Sequence, residues 1–253
     1  MKFAFITTIN STKEISSKGD IDFCLAPFAL RSETYKNYFI NNKRYIIFDN
    51  GVAESDLIPN DIMVKLAIEM KVSEIIIPDK IGDYKTTKLM RESFLEKYYK
   101  LLKNNNIKIQ SVIQGSTWDE YIKNLQELEQ DKRINVIGIP FRMNYKDDFF
   151  DLIKVKEMRH SMKRNNFIKE NNFKKEVHLL GCNLPIEMQM YKNSTKIRSM
   201  DSKLIARYAY NDINLNFQDI IKPKKKLFLD NVLSRKQINK AKLMIKKMKG
   251  GNK

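Results

Sequence analysis

Glu74-Ile-Ile-Ile-Pro-Asp79, then an amphipathic stretch from Thr86 to Asn104, then Ile109-Gln-Ser-Val-Ile-Gln-Gly115 is the passage that decides the fold. Two short apolar runs rich in β-branched residues flank a segment long enough for a crossover helix, which is the unit of a parallel sheet. The unit recurs outward in both directions. Strands are expected near residues 2–7, 21–26, 44–49, 74–79, 109–114, 135–140, 176–181 and 196–200. Asn60 or Asp61 can cap a helix to about Lys71, and Thr117 another to about Gln130. Lys146 to Ile168 is charged and partly helical, with Asn165-Asn166 and Asn171-Asn172 marking its end and a loop. Pro185 opens a short helix, and Ser202 to Tyr210 forms one directly after Asp201.

Eight strands alternating with helices in 253 residues favour a closed (β/α)8 TIM-type barrel of the α/β class over an open doubly wound sheet. The first connection, Asn10 to Asp20, is too short and polar for a full helix, so an irregular first connection is expected. The catalytic barrel is assigned to residues 1–221. Residues 222–253 are assigned to a basic C-terminal tail, with a helix from Ser234 to Lys249 capped by Ser234 and ended by Gly250-Gly251.

The formal charge is +17, and it is uneven. From Lys222 to Lys253 there are 12 Lys/Arg against one acid, Asp230. Such a segment either attracts a polyanion, with counterion release as the driving force, or simply keeps the chain soluble. Lys224, Lys225, Lys226, Arg235 and Lys236 are the candidate nucleic-acid contacts. Two cysteines, Cys24 and Cys182, fit neither a disulfide framework nor a four-ligand zinc site, so a cytoplasmic setting is expected. No apolar stretch approaches 18 residues, and the start lacks a signal-peptide pattern; no membrane partner is expected.

The strands end in chemistry. Tyr45-Ile-Ile-Phe-Asp49 runs into Asn50-Gly51, where a glycine turn exposes a carboxylate, although Asp-Asn-Gly is also a common turn. Asp79 follows Pro78, a residue confined to strand ends, and can read the N–H edge of a purine or cap a helix. The Gln114-Gly115 amide offers a donor and an acceptor. Gly138 lets a flat ring approach the backbone or merely packs closely. His178, among apolar neighbours, reads first as a hydrogen-bonded core residue, and His160 as a solvated one on a charged helix. Asp201 ends the series. Carboxylates at several strand ends are what the catalytic rim of a parallel barrel requires. No Walker loop, dinucleotide fingerprint or metal constellation is present, so neither cofactor nor metal is expected.

In this order the motifs resemble the tRNA-guanine transglycosylase superfamily over roughly residues 1–210. Asp49-Asn50-Gly51-Val52 stands where that family has Asp-Ser-Gly-Gly, and Ile113-Gln114-Gly115 where it has Val-Gln-Gly. Gly138 matches a glycine-bearing strand, His178-Leu179-Leu180-Gly181 a Tyr-Leu-Met-Gly strand, and Arg198-Ser199-Met200-Asp201 an Asp-Met-Phe-Asp segment. The resemblance implies that Asp201 is a nucleophile on the sugar C1′ and Asp49 the second carboxylate, for proton transfer. It implies that Asp79, Gln114 and the Gly138 backbone read the base and that Leu180 packs on its face. Gly115, His178 and Gly181 complete the substrate-binding set.

The family's zinc site of three cysteines and a histidine has no counterpart here, and Ala53 stands where an aromatic residue stacks on the base. This leaner pattern is similar to the phage and bacterial branch that places 7-deazaguanines in DNA. The implied partners are DNA and a 7-deazaguanine base, in the host cytoplasm for a phage-encoded chain, with an oligomer as a further option. tRNA or a free guanine nucleotide is the alternative substrate. A nucleotide-level ribosyltransferase and a non-catalytic nucleic-acid-binding barrel are the competing functions.

Overall fold

The computed structural model describes residues 1–54 and 57–250. Its strands are β1 (Lys2–Phe5), β2 (Asp22–Leu25), β3 (Ile46–Asp49), β4 (Glu74–Ile76), β5 (Lys108–Val112), β6 (Val136–Pro140), β7 (Glu176–Leu180) and β8 (Ser199–Ser202). All pairings are parallel, in the order β1-β8-β7-β6-β5-β4-β3-β2. The ring is nearly closed. β1 and β2 share no ladder, but Asp20 N–H donates to Phe3 O (2.7 Å) and Phe3 N–H to Asp20 Oδ2 (2.9 Å) across the seam. The chain is a (β/α)8 TIM-type barrel, as the strand–helix alternation predicts.

The helices are α1 (Thr12–Ile15), α2 (Ala26–Arg31), α3 (Glu33–Asn42), α4 (Asn60–Glu69), α5 (Tyr84–Asn104), α6 (Trp118–Gln130), α7 (Asp148–Asp151), α8 (Lys156–Glu170), α9 (Pro185–Tyr191), α10 (Leu204–Tyr210) and α11 (Arg235–Met248). The first connection is irregular, a four-residue α1 between 3-10 turns. Helices α2 and α3 have no counterpart in the sequence reading. Their signals are Pro27 at the first turn of α2 and Ser32, whose side chain caps α3 by accepting from Tyr35 N–H.

Three boundaries move. β4 stops at Ile76, ahead of the prolyl residue that cannot donate to the ladder, so Asp79 lies on the loop beyond it. β8 begins at Ser199, three residues later than the apolar run suggests, because Ser199 and Asp201 point inward and interrupt the apolar pattern. α8 continues through Asn165-Asn166, since Arg164, Phe167 and Ile168 are all buried on its inner face; Asn171 then stops it and bonds back to Phe167 O.

The basic C-terminal segment returns to the barrel. Ser234 and Gln237 form a reciprocal capping box for α11, whose Ile238, Ala241, Met244, Ile245 and Met248 are buried against α10 and α1. Each buried Ile or Met contributes roughly 1.5–3 kcal/mol of transfer free energy. Glu14 holds Arg235 and Lys242, Asp212 holds Lys236 and Lys240, and Asp20 holds Lys249. Among the described residues no helix is long and apolar enough to cross a membrane.

Candidate active site

The C-terminal ends of the strands surround a cavity of about 610 Å3. In characterised enzymes with this fold that mouth carries the active site. Asp49, Asp79, Gln114, Leu180, Gly181 and Asp201 all line it, so six sequence-predicted residues from five strands and their loops share one wall.

Asp201 sits near the top of β8, almost wholly buried. Its Oδ1 accepts from Gly181 N–H (2.9 Å) and from His178 Nε2 (3.2 Å), which leaves Oδ2 for the cavity. Gly181 can present that N–H because it adopts a left-handed backbone, φ 66°. The Gly181 peptide is itself clamped. Arg164, fully buried and paired with Glu187, donates to Leu180 O and Gly181 O, both at 3.0 Å. Arg164 was not a sequence candidate; a charged residue on a charged helix carries no local sign of burial.

A hydrogen-bonded chain runs from the floor of the barrel to Asp201. Arg198 Nε donates to Ser199 Oγ (3.1 Å), and Ser199 Oγ lies 2.8 Å from His178 Nδ1. A carboxylate oxygen can only accept, so the imidazole proton facing Asp201 is on Nε2, and Nδ1 accepts the Ser199 hydroxyl proton. Phe23 stacks on the imidazole, with centroids 5.8 Å apart. His178 is thus a buried positioning residue and does not reach the cavity wall.

Asp49 closes β3, and its Oδ2 accepts from Gly51 N–H (3.1 Å), with Gly51 at φ 82°. Asn50, read from sequence only as part of a turn, bridges two loops. Its Nδ2 donates to Ile77 O and to Asp79 Oδ1, both at 3.0 Å. Gln114 Nε2 donates to Asp79 Oδ2 (2.7 Å), while Gln114 Oε1 accepts from Gly82 N–H (2.9 Å). Burial pushes the Asp79 carboxyl above the ordinary aspartate range, against the opposing pull of the Asn50 and Gln114 hydrogen bonds.

Other predicted positions lie elsewhere. Gly138 packs inside the barrel, where an added Cβ would lie 2.7 Å from Gln110 Nε2 and 2.9 Å from a Leu180 methyl; its carbonyl is taken by Ile113 N–H. Gly115 packs against Glu120 and Tyr121 of α6. Neither lines the cavity. His160 is buried rather than solvated, with Nδ1 3.3 Å from Met143 O, because the charged helix turns this position inward. Of the candidate nucleic-acid contacts, only Lys226 faces the cavity. Lys224 and Lys225 are exposed beside it, and Arg235 and Lys236 are held by Glu14 and Asp212.

Ala53 does line the cavity, together with Phe23, Phe28, Phe141 and Phe228, aromatic residues that no motif had singled out. Cys182 also reaches the wall; burial pushes its thiol well up, so it is held as a thiol and not a thiolate nucleophile. Among the described residues no three His, Cys, Asp or Glu side chains gather to hold a metal ion.

No protein-family model matches the chain, and no curated protein is significantly similar to it in sequence. The structure shows a TIM-type barrel, a fold commonly enzymatic, with buried carboxylates converging at its C-terminal mouth.

Proposed function

We propose that the protein is a base-exchange glycosyltransferase that replaces guanine in DNA with a 7-deazaguanine, through a covalent bond between Asp201 and the sugar. The observation that carries this reading is the position of Asp201. It shares one cavity with Asp49 and the Asp79–Gln114 pair, and its Oδ1 is held by Gly181 and His178.

Exchange at a glycosidic carbon passes through an oxocarbenium-like state that a fixed carboxylate stabilises and can trap covalently. In the first half-reaction Asp201 Oδ2 bonds to C1′ as the C1′–N9 bond breaks. The bonding pair leaves with guanine, and Asp49, directly or through water, supplies the proton the base takes up. In the second, the incoming base gives its N9 proton to Asp49, N9 attacks C1′ and the ester to Asp201 breaks. Two inversions retain the β configuration. Asp79 and Gln114 form a rigid polar edge for a purine, and Leu180 supplies an apolar face. A base inside a duplex must be flipped out to reach this depth.

The test is a trapped intermediate. Wild-type protein incubated with DNA and labelled guanine is expected to incorporate label and to show a protein–DNA adduct by denaturing mass spectrometry. Asp49→Asn should retain some adduct while losing roughly 10²–10⁴-fold in exchange rate. Incorporation by Asp201→Asn protein would remove the assignment.

A further inference from the structure

The charges around the cavity are layered. Asp49, Asp79 and Asp201 lie deep and buried, whereas Arg142 and Lys226 are exposed on the cavity's lining. Among the described residues neither Arg142 nor Lys226 has an anionic partner or a side-chain hydrogen bond, which sets them apart from their neighbours. Lys222 is held by Glu157 (2.6 Å), and Arg207 is spent on the carbonyls of Pro223, Lys224 and Lys225. Among the described residues the acid on this rim, Asp230, is taken by Arg31 (3.2 Å).

Each uncompensated cation also comes with an aromatic ring. Phe141 precedes Arg142 at the end of β6, and Phe228 lies two residues after Lys226; both residues line the cavity. Phe228 is 63% exposed, an unusual state for a phenylalanine beside a pocket. Cations that follow a backbone, interleaved with rings on which bases stack, are the elements of single-strand nucleotide recognition. The layering also has a direction. A ligand with a neutral or developing positive centre fits deep, and its anionic group fits at the rim.

We infer that Arg142 and Lys226 form the phosphate subsite of this cavity, receiving the phosphates that flank the reacting nucleotide, with Phe228 as an outer stacking platform. The inference rests on the base-exchange reading for the nature of the ligand, but it is tested by binding alone. It also moves the expected phosphate contacts away from α11. Six of the basic residues after position 221, namely Lys222, Arg235, Lys236, Lys240, Lys242 and Lys249, are paired within the protein.

The experiment is equilibrium binding by the full chain, wild type and Asp201→Asn, to a labelled single-stranded oligodeoxynucleotide, an oligoribonucleotide of matching sequence, and dGMP. Arg142→Ala/Lys226→Ala should weaken binding by about tenfold per cation at low salt. For the oligonucleotides it should also lower the slope of log K against log salt by about 1.4, two contacts at about 0.7 each. The charge-matched Arg235→Ala/Lys236→Ala variant should stay within about threefold of wild type, since both cations are paired with carboxylates and lie outside the cavity. Phe228→Ala should weaken binding by roughly fivefold or more without altering the slope. The same loss for dGMP, with no tighter binding of either oligonucleotide, would identify a mononucleotide phosphate as the group received.

Unchanged binding by the Arg142/Lys226 variant, or an equal loss in the Arg235/Lys236 variant, overturns the subsite. So does a wild-type protein that binds none of the three ligands. Intact binding with no base exchange in wild-type protein counts against the reaction and leaves the subsite standing.

Discussion

At the floor of the barrel, Glu74 is fully buried and fully compensated. Arg198 grips it with two hydrogen bonds (2.7 and 3.1 Å), and Tyr45 Oη donates a third (2.6 Å). At the mouth, Asp79 and Asp201 are nearly as buried, yet among the described residues neither has a lysine or arginine partner; their donors are amides, a backbone N–H and an imidazole. The floor acid has been neutralised within the protein, as a buried charge must be if it is to serve structure alone. The mouth acids, held by amide, backbone and imidazole donors, stay open to a ligand. Burial identifies neither role; the partner does.

The comparison is most directly broken by exchanging the two losses. Asp201→Asn keeps an oxygen for its two donors, so its melting temperature should stay near wild type while exchange falls at least roughly 10³-fold. Glu74→Gln should do the reverse. Removing one partner of a buried pair costs about 3–5 kcal/mol, seen by denaturant unfolding, while the rate per folded molecule stays near wild type. A Glu74→Gln protein of unchanged stability, or an active Asp201→Asn protein, would dissolve the distinction.

A finer test cuts the chain that joins the two ends. Ser199→Ala removes the hydroxyl bonded to His178 Nδ1, leaving that buried nitrogen without its partner and the ring less firmly held against Asp201. Exchange should drop about tenfold, with a stability cost of only about 1 kcal/mol. Histidine nitrogen NMR shifts should report the lost hydrogen bond at Nδ1; an unchanged Nδ1 shift would mean that the floor does not reach the mouth through Ser199.

Asp79 gives a pH test. Its folded-state carboxyl titrates above the unfolded value, so the folded protein holds a proton that the unfolded chain has lost in the interval between them. Stability from this group therefore falls as pH rises from about 4 through that interval. Asp79→Asn should cancel that part of the slope, and parallel stability–pH curves for the two proteins would refute it.

The smallest effect belongs to α11. Lys242 and Arg235 hold the Glu14 carboxyl below its usual range, and Lys240 and Lys236 do the same for Asp212. Their contribution is present above the ordinary carboxylate values and is lost as pH falls through the lower folded ones. Amide exchange in α11 should accelerate below about pH 4 before that of the strands, and simultaneous exposure would count against these pairs as its anchors.

Much of the barrel was legible because its buried strands are apolar runs and its helices repeat their apolar positions. The exceptions have one cause. β8 was read three residues early because Ser199 and Asp201 face the interior, so the apolar signal stops where the functional one begins. The site was legible wherever a polar residue or a glycine stands at or just beyond a strand end, as Asp49, Gln114 and Gly181 do. Asn50 was passed over as a turn residue because its contacts with Ile77 and Asp79 span 27 and 29 positions. Phe28, Phe141 and Phe228 look like ordinary apolar residues in sequence; only the closing of the ring turns them toward the cavity.

The sequence by itself determined the alternation of strand and helix, and therefore which residues stand at strand ends, because hydrophobic periodicity is a local property of the chain. The tertiary structure alone decided which charges are left over. Whether a lysine, arginine or aspartate is spent within the protein depends on neighbours as far as 229 positions away, as Lys249 and Asp20 are. Electrostatic compensation follows distance in space, and no local pattern encodes it.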